Sequence, residues 1–227
     1  MMSKILTFGF DDCEIYDRRL AEMFRKYGMK ATFFLISDQL GFKCDFHRYG
    51  EDTVVERVSP EEIKETYRGM EVASHTSAHS MPIDELDDAV VRSCKYLSDL
   101  CGYEVKGMAY PGGAYTEEHV KRLKELGIEY SRTIDCTHNF DVPSDFLKWN
   151  PTCKYDDPEI MDLADEFINC TDSGDKIFYV YGHSYELTRK EEPCDFESFG
   201  RLLEKLSGRE DIIYATNIKT KELVLCK

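Results

Sequence analysis

The 227-residue chain is 42% hydrophobic and 32% charged, a composition that allows one sizeable core and excludes a disordered polymer. Its 44 acidic residues against 29 Lys and Arg give a formal net charge of -15, which argues against nucleic-acid or anionic-membrane partners. The nine cysteines are scattered singly with no C-x-x-C pair, which excludes a zinc knuckle or thioredoxin-like site and suits a reducing compartment.

Met1-Met2-Ser3-Lys4 is followed by strand-like residues rather than a signal-peptide apolar run, and no stretch reaches the roughly 18 apolar residues of a membrane helix. The expectation is a single cytoplasmic domain spanning residues 1–227. Ile5 to Phe8 reads as a short buried strand that delivers Asp11 and Asp12 at its C-terminal tip. Neighbouring residues on an extended segment point in opposite directions, so one carboxylate can face a metal while the other faces a reacting water.

Leu20, Met23, Phe24 and Tyr27 share one face of a helix predicted over 15–27, and Gly28 stops it. Residues 30–36 form a continuous apolar run typical of a doubly covered parallel strand. The irregular segment 37–58 reads as a loop or hairpin over one end of the molecule. Ser59, Pro60 and Glu62 carry the N-cap, first-turn proline and capping-box signals of a short helix, and 70–74 is a strand leading to His75. Leu86, Val90, Cys94, Leu97 and Cys101 mark the inner stripe of a helix over 84–101.

A strand over 105–110 meets a tight loop at Pro111-Gly112-Gly113, then a helix over 116–126 and a strand over 128–134. An Asp-, Asn- and Pro-rich loop runs on to Trp149. Asp157-Pro158 opens a helix, 177–181 is a strand ending at Gly182-His183, and 195–206 is a helix. Strands over 212–214 and 222–225 close the chain. Strand and helix alternate almost throughout, which predicts an α/β fold with a parallel sheet.

Asp11, Asp12, His75, His79, Pro111 and His183 all fall just after predicted strands, where α/β barrels gather catalytic groups. His75 and His79, at i and i+4, with one carboxylate make a two-histidine, one-carboxylate set that suits a catalytic divalent metal. Read singly, each of these residues is equally an ordinary surface or core polar group. His119 is expected to be solvated on its helix, His47 and His138 are uncommitted loop residues, and Cys13 reads as a small packing residue.

Thr7-Phe8-Gly9-Phe10-Asp11-Asp12, then Ala31-Thr32-Phe33-Phe34, then Ser74-His75-Thr76-Ser77-Ala78-His79, resembles the polysaccharide deacetylase family, the NodB-homology domain of carbohydrate esterase family 4. The resemblance implies a distorted (β/α) barrel with its site at the C-terminal ends of the strands. It makes Asp11 the general base, Asp12, His75 and His79 the metal ligands, and His183 in Tyr179-Val180-Tyr181-Gly182-His183 the general acid. Zinc is the expected metal, with cobalt, nickel or manganese as alternatives.

Met108-Ala109-Tyr110-Pro111-Gly112-Gly113 is similar to the family segment that usually carries a base-orienting arginine and an aromatic residue. Here Ala109 and Gly112 take those two positions. Arg132 is a substitute for that arginine or else a surface residue without a partner. Tyr110, Pro111, Gly112 and Trp149 are expected to line the substrate, with the Gly112 N–H as oxyanion donor, although Trp149, the only tryptophan, reads equally as a buried core residue. The implied reaction is metal-dependent hydrolysis of the N-acetyl group of an amino sugar in a glycan or soluble oligosaccharide. Alternatives are an amidase of the same fold acting on a small non-sugar amide, and a non-catalytic carbohydrate-binding relative.

Overall fold

β1 (Lys4–Asp11) is buried along its whole length, and the fold is built outward from it. The computed structural model describes residues 3–48, 51–189 and 195–225. In chain order β1 is followed by α1 (Asp17–Lys26), β2 (Thr32–Leu35), and a hairpin of β3 (Lys43–Arg48) and β4 (Glu51–Glu56). Next come α2 (Ile63–Thr66), β5 (Glu71–Ser74), α3 (Leu86–Cys101), β6 (Gly107–Ala109), α4 (Glu117–Glu125) and β7 (Tyr130–Arg132). β8 (Cys153–Lys154), α5 (Ile160–Asn169), β9 (Lys176–His183), α6 (Phe196–Leu206), β10 (Ile212–Tyr214) and α7 (Asn217–Leu225) complete it.

The main sheet is parallel, in the order β7-β6-β5-β2-β1-β9-β8, with β10 paired to the first residues of β1. It curls into a distorted, half-open barrel with helices around it. Trp149 narrows the opening by pairing with Arg132, accepting from the Thr133 N–H at 3.0 Å and donating to the Ser131 carbonyl at 3.0 Å. A few residues later β8 joins β9, so this one segment links the two sides of the barrel.

Period-two alternation sorts the strand residues between two environments. Leu6, Phe8 and Phe10 pack outward with Phe24 of α1, Phe33 of β2 and Phe199 of α6. Thr7, Gly9 and Asp11 take the opposite face. Gly9 is required there: a Cβ would lie 2.7 Å from the Tyr179 hydroxyl and 2.9 Å from the Phe34 ring. Phe34, Tyr130, Trp149 and Tyr179 form the aromatic cluster inside the barrel.

The barrel floor is polar and fully paired. Glu71 accepts from the hydroxyls of Thr32 (2.8 Å) and Tyr130 (2.7 Å) and from the Ile218 N–H (3.0 Å), so its carboxylate caps the first turn of α7. Asn217 accepts from Thr7 at 2.7 Å and donates to Tyr179. This arrangement corrects the strand predicted over 222–225, which is the end of α7. A short Leu-Val-Leu run is ambiguous between strand and helix, and here the buried carboxylate at the helix start decides it.

The other boundaries move by a few residues, and β8 is an additional element. The hairpin expected within 37–58 is present, as is the capping box of Ser59 and Glu62. His119 is not solvated: its Nδ1 bonds Thr116 at the start of α4 and its Nε2 lies 2.9 Å from the Met81 carbonyl. No helix among the described residues is long and apolar enough to cross a membrane.

Candidate active site

Asp11, the last residue of β1, stands in register with Phe34 on one side and His183 on the other. The chain then leaves the strand abruptly. Asp12 and Cys13 adopt φ values of 80° and 50°, a left-handed conformation unusual for residues with a Cβ. The Asp12 N–H still donates to the Phe34 carbonyl at 3.1 Å. Both carboxylates approach His75 Nε2, Asp11 Oδ2 at 3.8 Å and Asp12 Oδ1 at 3.9 Å, so the left-handed turn, and not the alternation of an extended strand, sets where Asp12 points.

The histidine pair is assembled by a turn rather than by a helix face. The His75 N–H donates to the Leu35 carbonyl at 2.8 Å, and Thr76 and His79 have φ values of 63° and 57°. The two rings meet edge to face with centroids 4.8 Å apart. His75 Nδ1 lies 3.0 Å from the Ala109 carbonyl, so it carries the proton and leaves Nε2 free as a ligand.

One ligand atom each from Asp12, His75 and His79 falls within 4.8 Å of the others. Asp12 Oδ1 lies 3.9 Å from His75 Nε2 and 4.0 Å from His79 Nε2, and it is buried without a hydrogen-bond partner. A buried carboxylate oxygen left unpaired beside two free imidazole nitrogens is what a divalent ion would satisfy. The donor set fits such an ion. Burial raises the Asp12 pKa, but the charges of His183, His75, Arg57 and His79 outweigh it and leave the group below its ordinary value. Burial lowers the His75 pKa and so favours the neutral imidazole, the form a metal needs.

Asp11 uses its other oxygen. Arg132, fully buried, donates from Nη2 to Asp11 Oδ2, while Asp11 Oδ1 is buried and unpaired. His75 Nε2 and His183 Nε2 lie 3.8 and 3.9 Å from Oδ2. The guanidinium also sits over the Tyr181 ring at 4.6 Å and donates to the Thr133 carbonyl at 2.9 Å. Burial opposes its charge, yet the carboxylate of Asp11 keeps its pKa raised.

His183 faces Asp11 with one ring nitrogen and Glu186 with the other. Glu186 Oε2 lies 3.2 Å from His183 Nδ1, and Lys154 donates to Glu186 Oε1 at 3.2 Å. Burial disfavours the imidazolium, but the bond to Glu186 and the charges of Asp11 and Asp12 more than offset it. His183 therefore keeps its proton above the usual histidine range.

The family model described as polysaccharide deacetylase matches residues 2–131, more than half of the chain. The chain belongs to the polysaccharide deacetylase family. A curated relative, YxkH of Bacillus subtilis (strain 168), provisionally named as a polysaccharide deacetylase, is 26% identical over 115 residues. That match covers 49% of this chain and only 37% of YxkH, so the chain spans well under half of that relative.

Among solved structures, one provisionally assigned as a polysaccharide deacetylase, from Mycobacterium smegmatis, superimposes with a TM-score of 0.68 at 16% identity. It covers 99% of this chain and 91% of its own. A family 4 acetyl xylan esterase from Clostridium thermocellum, in complex with a cobalt ion, gives 0.59 at 16% identity over 96% and 91%. At these identities the likeness is one of fold.

Ala109 stands where polysaccharide deacetylases usually carry an arginine, and strand pairing puts another arginine opposite it. β6 and β7 pair with Ala109 opposite Arg132, so the guanidinium reaches Asp11 from the neighbouring strand. Of the residues expected to line the substrate, two are buried. Trp149 is 2% exposed and packs among Tyr130, Phe146 and Tyr179. Tyr110 is 0% exposed, donates to the Leu147 carbonyl at 2.8 Å and stacks on Tyr115. Pro111 is partly exposed, and Gly112, at φ 59°, is exposed in the turn that follows. Sequence reasoning missed Glu186, Lys154 and Arg57. Glu186 could have been found from its place three residues after His183, whereas Lys154 and Arg57 reach the site through strand pairing alone.

Proposed function

We propose that this chain is a metal-dependent deacetylase that hydrolyses the N-acetyl group of an amino sugar, in a glycan or a soluble oligosaccharide. The observation that carries the reading is the Asp12–His75–His79 cluster flanked by two further paired groups, Asp11 with Arg132 and His183 with Glu186. Asp12, His75 and His79 would hold the divalent ion, zinc in the first instance, with cobalt, nickel or manganese as alternatives. Such an ion polarises an acyl carbonyl and lowers the pKa of water.

The chain's own residues supply the rest. Asp11 Oδ1, buried and unpaired, accepts a proton from the attacking water while Arg132 holds Oδ2. Arg132 holds Asp11 in place beside the imidazoles of His75 and His183. The Gly112 N–H, in the exposed turn after β6, stabilises the developing oxyanion. His183, kept protonated by Glu186, donates to the departing amine. Acetate and a free amine are the products.

The burial of Trp149 and Tyr110 supports a second reading, hydrolysis of a small non-sugar amide, because it removes two aromatic surfaces from stacking under a sugar. In the cytoplasmic setting expected from composition, soluble N-acetylated substrates fit better than an assembled wall polymer. The test is metal analysis of the purified chain, followed by acetate release from N-acetylglucosamine oligomers and from a panel of small acetamides. Near-stoichiometric metal with acetate release from oligomers alone supports the first reading, and release from the small amides alone supports the second. A chain that takes up no divalent metal after reconstitution overturns both.

A further inference from the structure

The β3–β4 hairpin does more than cover one end of the barrel. Its exit strand is laced to the turn that carries Asp12. The Ile15 N–H donates to the Glu56 carbonyl at 2.8 Å, and the Val58 N–H donates to the Cys13 carbonyl at 2.8 Å, with Glu14 and Arg57 paired between them. Arg57 points inward from this junction and is 9% exposed. Its Nη1 donates to the backbone carbonyl of Asp12 and lies 3.7 Å from Glu14 Oε1, a carboxylate that is itself 2% exposed.

The same nitrogen stands 3.9 Å from Asp12 Oδ2, while Asp12 Oδ1 faces the two histidines. One oxygen of Asp12 is thus turned toward a fixed cation and the other toward the ligand cluster. The backbone of Asp12 and Cys13 is left-handed, a conformation that L residues rarely hold without outside support. Arg57 takes the carbonyl that this conformation turns out of the sheet. It also stands beside the buried Glu14 carboxylate, so one guanidinium ties the carbonyl of Asp12 to the residue two positions on.

We propose that Arg57 is a positioning residue that fixes which carboxylate oxygen Asp12 presents, and so sets the affinity of the Asp12–His75–His79 cluster for a divalent ion. This rests on the metal reading above. Groups that orient a ligand without touching the metal commonly change metal affinity by about 10–100-fold when removed. The hairpin would then be part of the metal site although it contributes no ligand.

The test uses the full chain, stripped with a chelator and titrated with Co(II), whose visible absorption reports ligand geometry. Arg57→Ala is expected to raise the Co(II) Kd by about 10–100-fold and to alter the spectrum of the loaded protein. Arg57→Lys, which keeps the charge but loses the planar fork, should recover part of the affinity. Arg122→Ala, which removes a remote surface pair with Asp87, should leave both readouts unchanged.

Circular dichroism checks that each variant is folded. If Arg57→Ala fails to fold, Arg57→Lys carries the test and must still weaken binding several-fold. Folded variants that match wild type within twofold, with an unchanged spectrum, overturn the role of Arg57 alone. A wild-type chain that binds no Co(II) overturns the metal reading and this inference together.

Discussion

Arg132 and Asp11 meet inside the barrel, Nη2 to Oδ2, although 121 residues separate them in the chain. Their strands are not neighbours: β6, β5 and β2 lie between β7 and β1. The contact therefore spans the lumen and depends on closure of the barrel, with Trp149 and Tyr181 packed around it. Removing the guanidinium leaves a buried carboxylate without its partner. Arg132→Ala is expected to lower unfolding free energy by about 3–5 kcal/mol, measured by denaturant titration. Arg132→Lys keeps the charge but loses the fork, so its loss should be smaller. Equal stability of wild type and Arg132→Ala would show that the pair contributes no net energy.

The pairing of His183 with Glu186 sets a pH dependence. A general acid must carry its proton, and the pKa of His183 is raised. Activity should therefore persist where an ordinary histidine has deprotonated, and fall as pH rises through the raised value. Glu186→Gln removes the negative partner, so this alkaline limb should move to lower pH. His183→Ala should reduce kcat by about 10²–10⁴-fold. A kcat profile against pH for the three proteins decides the matter. An alkaline limb that stays in place in Glu186→Gln would assign the acid to another group.

How legible the site was depended on the kind of contact that forms it. Asp11, Asp12 and His75 lie at the C-terminal tips of β1 and β5, which local pattern marks, and His79 lies on the turn that follows. Arg132 could be named but not placed, since its partner is fixed by barrel closure and not by anything within β7. Arg57 gave no signal: it lies in the irregular stretch after Ile36 and enters the site only because 56–58 pairs with the turn after Asp12. Trp149 was open between a lining and a core residue for a related reason. The motif that resembles a lining segment is present, but strand pairing with Arg132 directs its ring to the interior cluster. The carboxyl-terminal helix was hidden because its cap, Glu71, sits 147 residues away from Ile218.

Trp149 offers a test that separates packing from substrate contact. Buried among Tyr130, Phe146 and Tyr179, it should behave as a core residue. Trp149→Ala is expected to cost about 3–5 kcal/mol of stability. Trp149→Phe should fold, with KM for the best acetylated substrate close to wild type. A large rise in KM for a stably folded Trp149→Phe would restore the lining role read from sequence.

The candidate metal cluster makes a distinction between its two histidines. His75 is buried and oriented by the Ala109 carbonyl, whereas His79 is half exposed on a left-handed turn. A preoriented ligand loses less freedom on binding, so His75→Ala should weaken metal binding more than His79→Ala. Both variants should fall well below wild type in Zn(II) titrations, and a chelator should abolish acetate release reversibly. Activity that survives exhaustive chelation would remove the metal from the mechanism.

Asp17, at the start of α1, gives a prediction for stability independent of the active chemistry. Its carboxyl is buried, and desolvation pushes its pKa up to about 8 despite hydrogen bonds from Ser184 and Tyr67, with the charges of Glu14 and Asp12 adding to the rise. In the unfolded chain the group titrates near about 3.9. Between these values the folded chain holds one more proton than the unfolded chain, so stability falls as pH rises across that window. The contribution is complete below the unfolded pKa and lost once pH passes about 8. Asp17→Asn keeps a neutral group of the same shape, and the two hydroxyls can rotate to meet its amide. The difference in Tm between Asp17→Asn and wild type should therefore grow as pH rises from about 5 to about 8, because every other titrating group is shared and cancels. A difference that stays constant with pH would mean that Asp17 is ionised in the folded chain, its charge held by the hydroxyls of Tyr67 and Ser184.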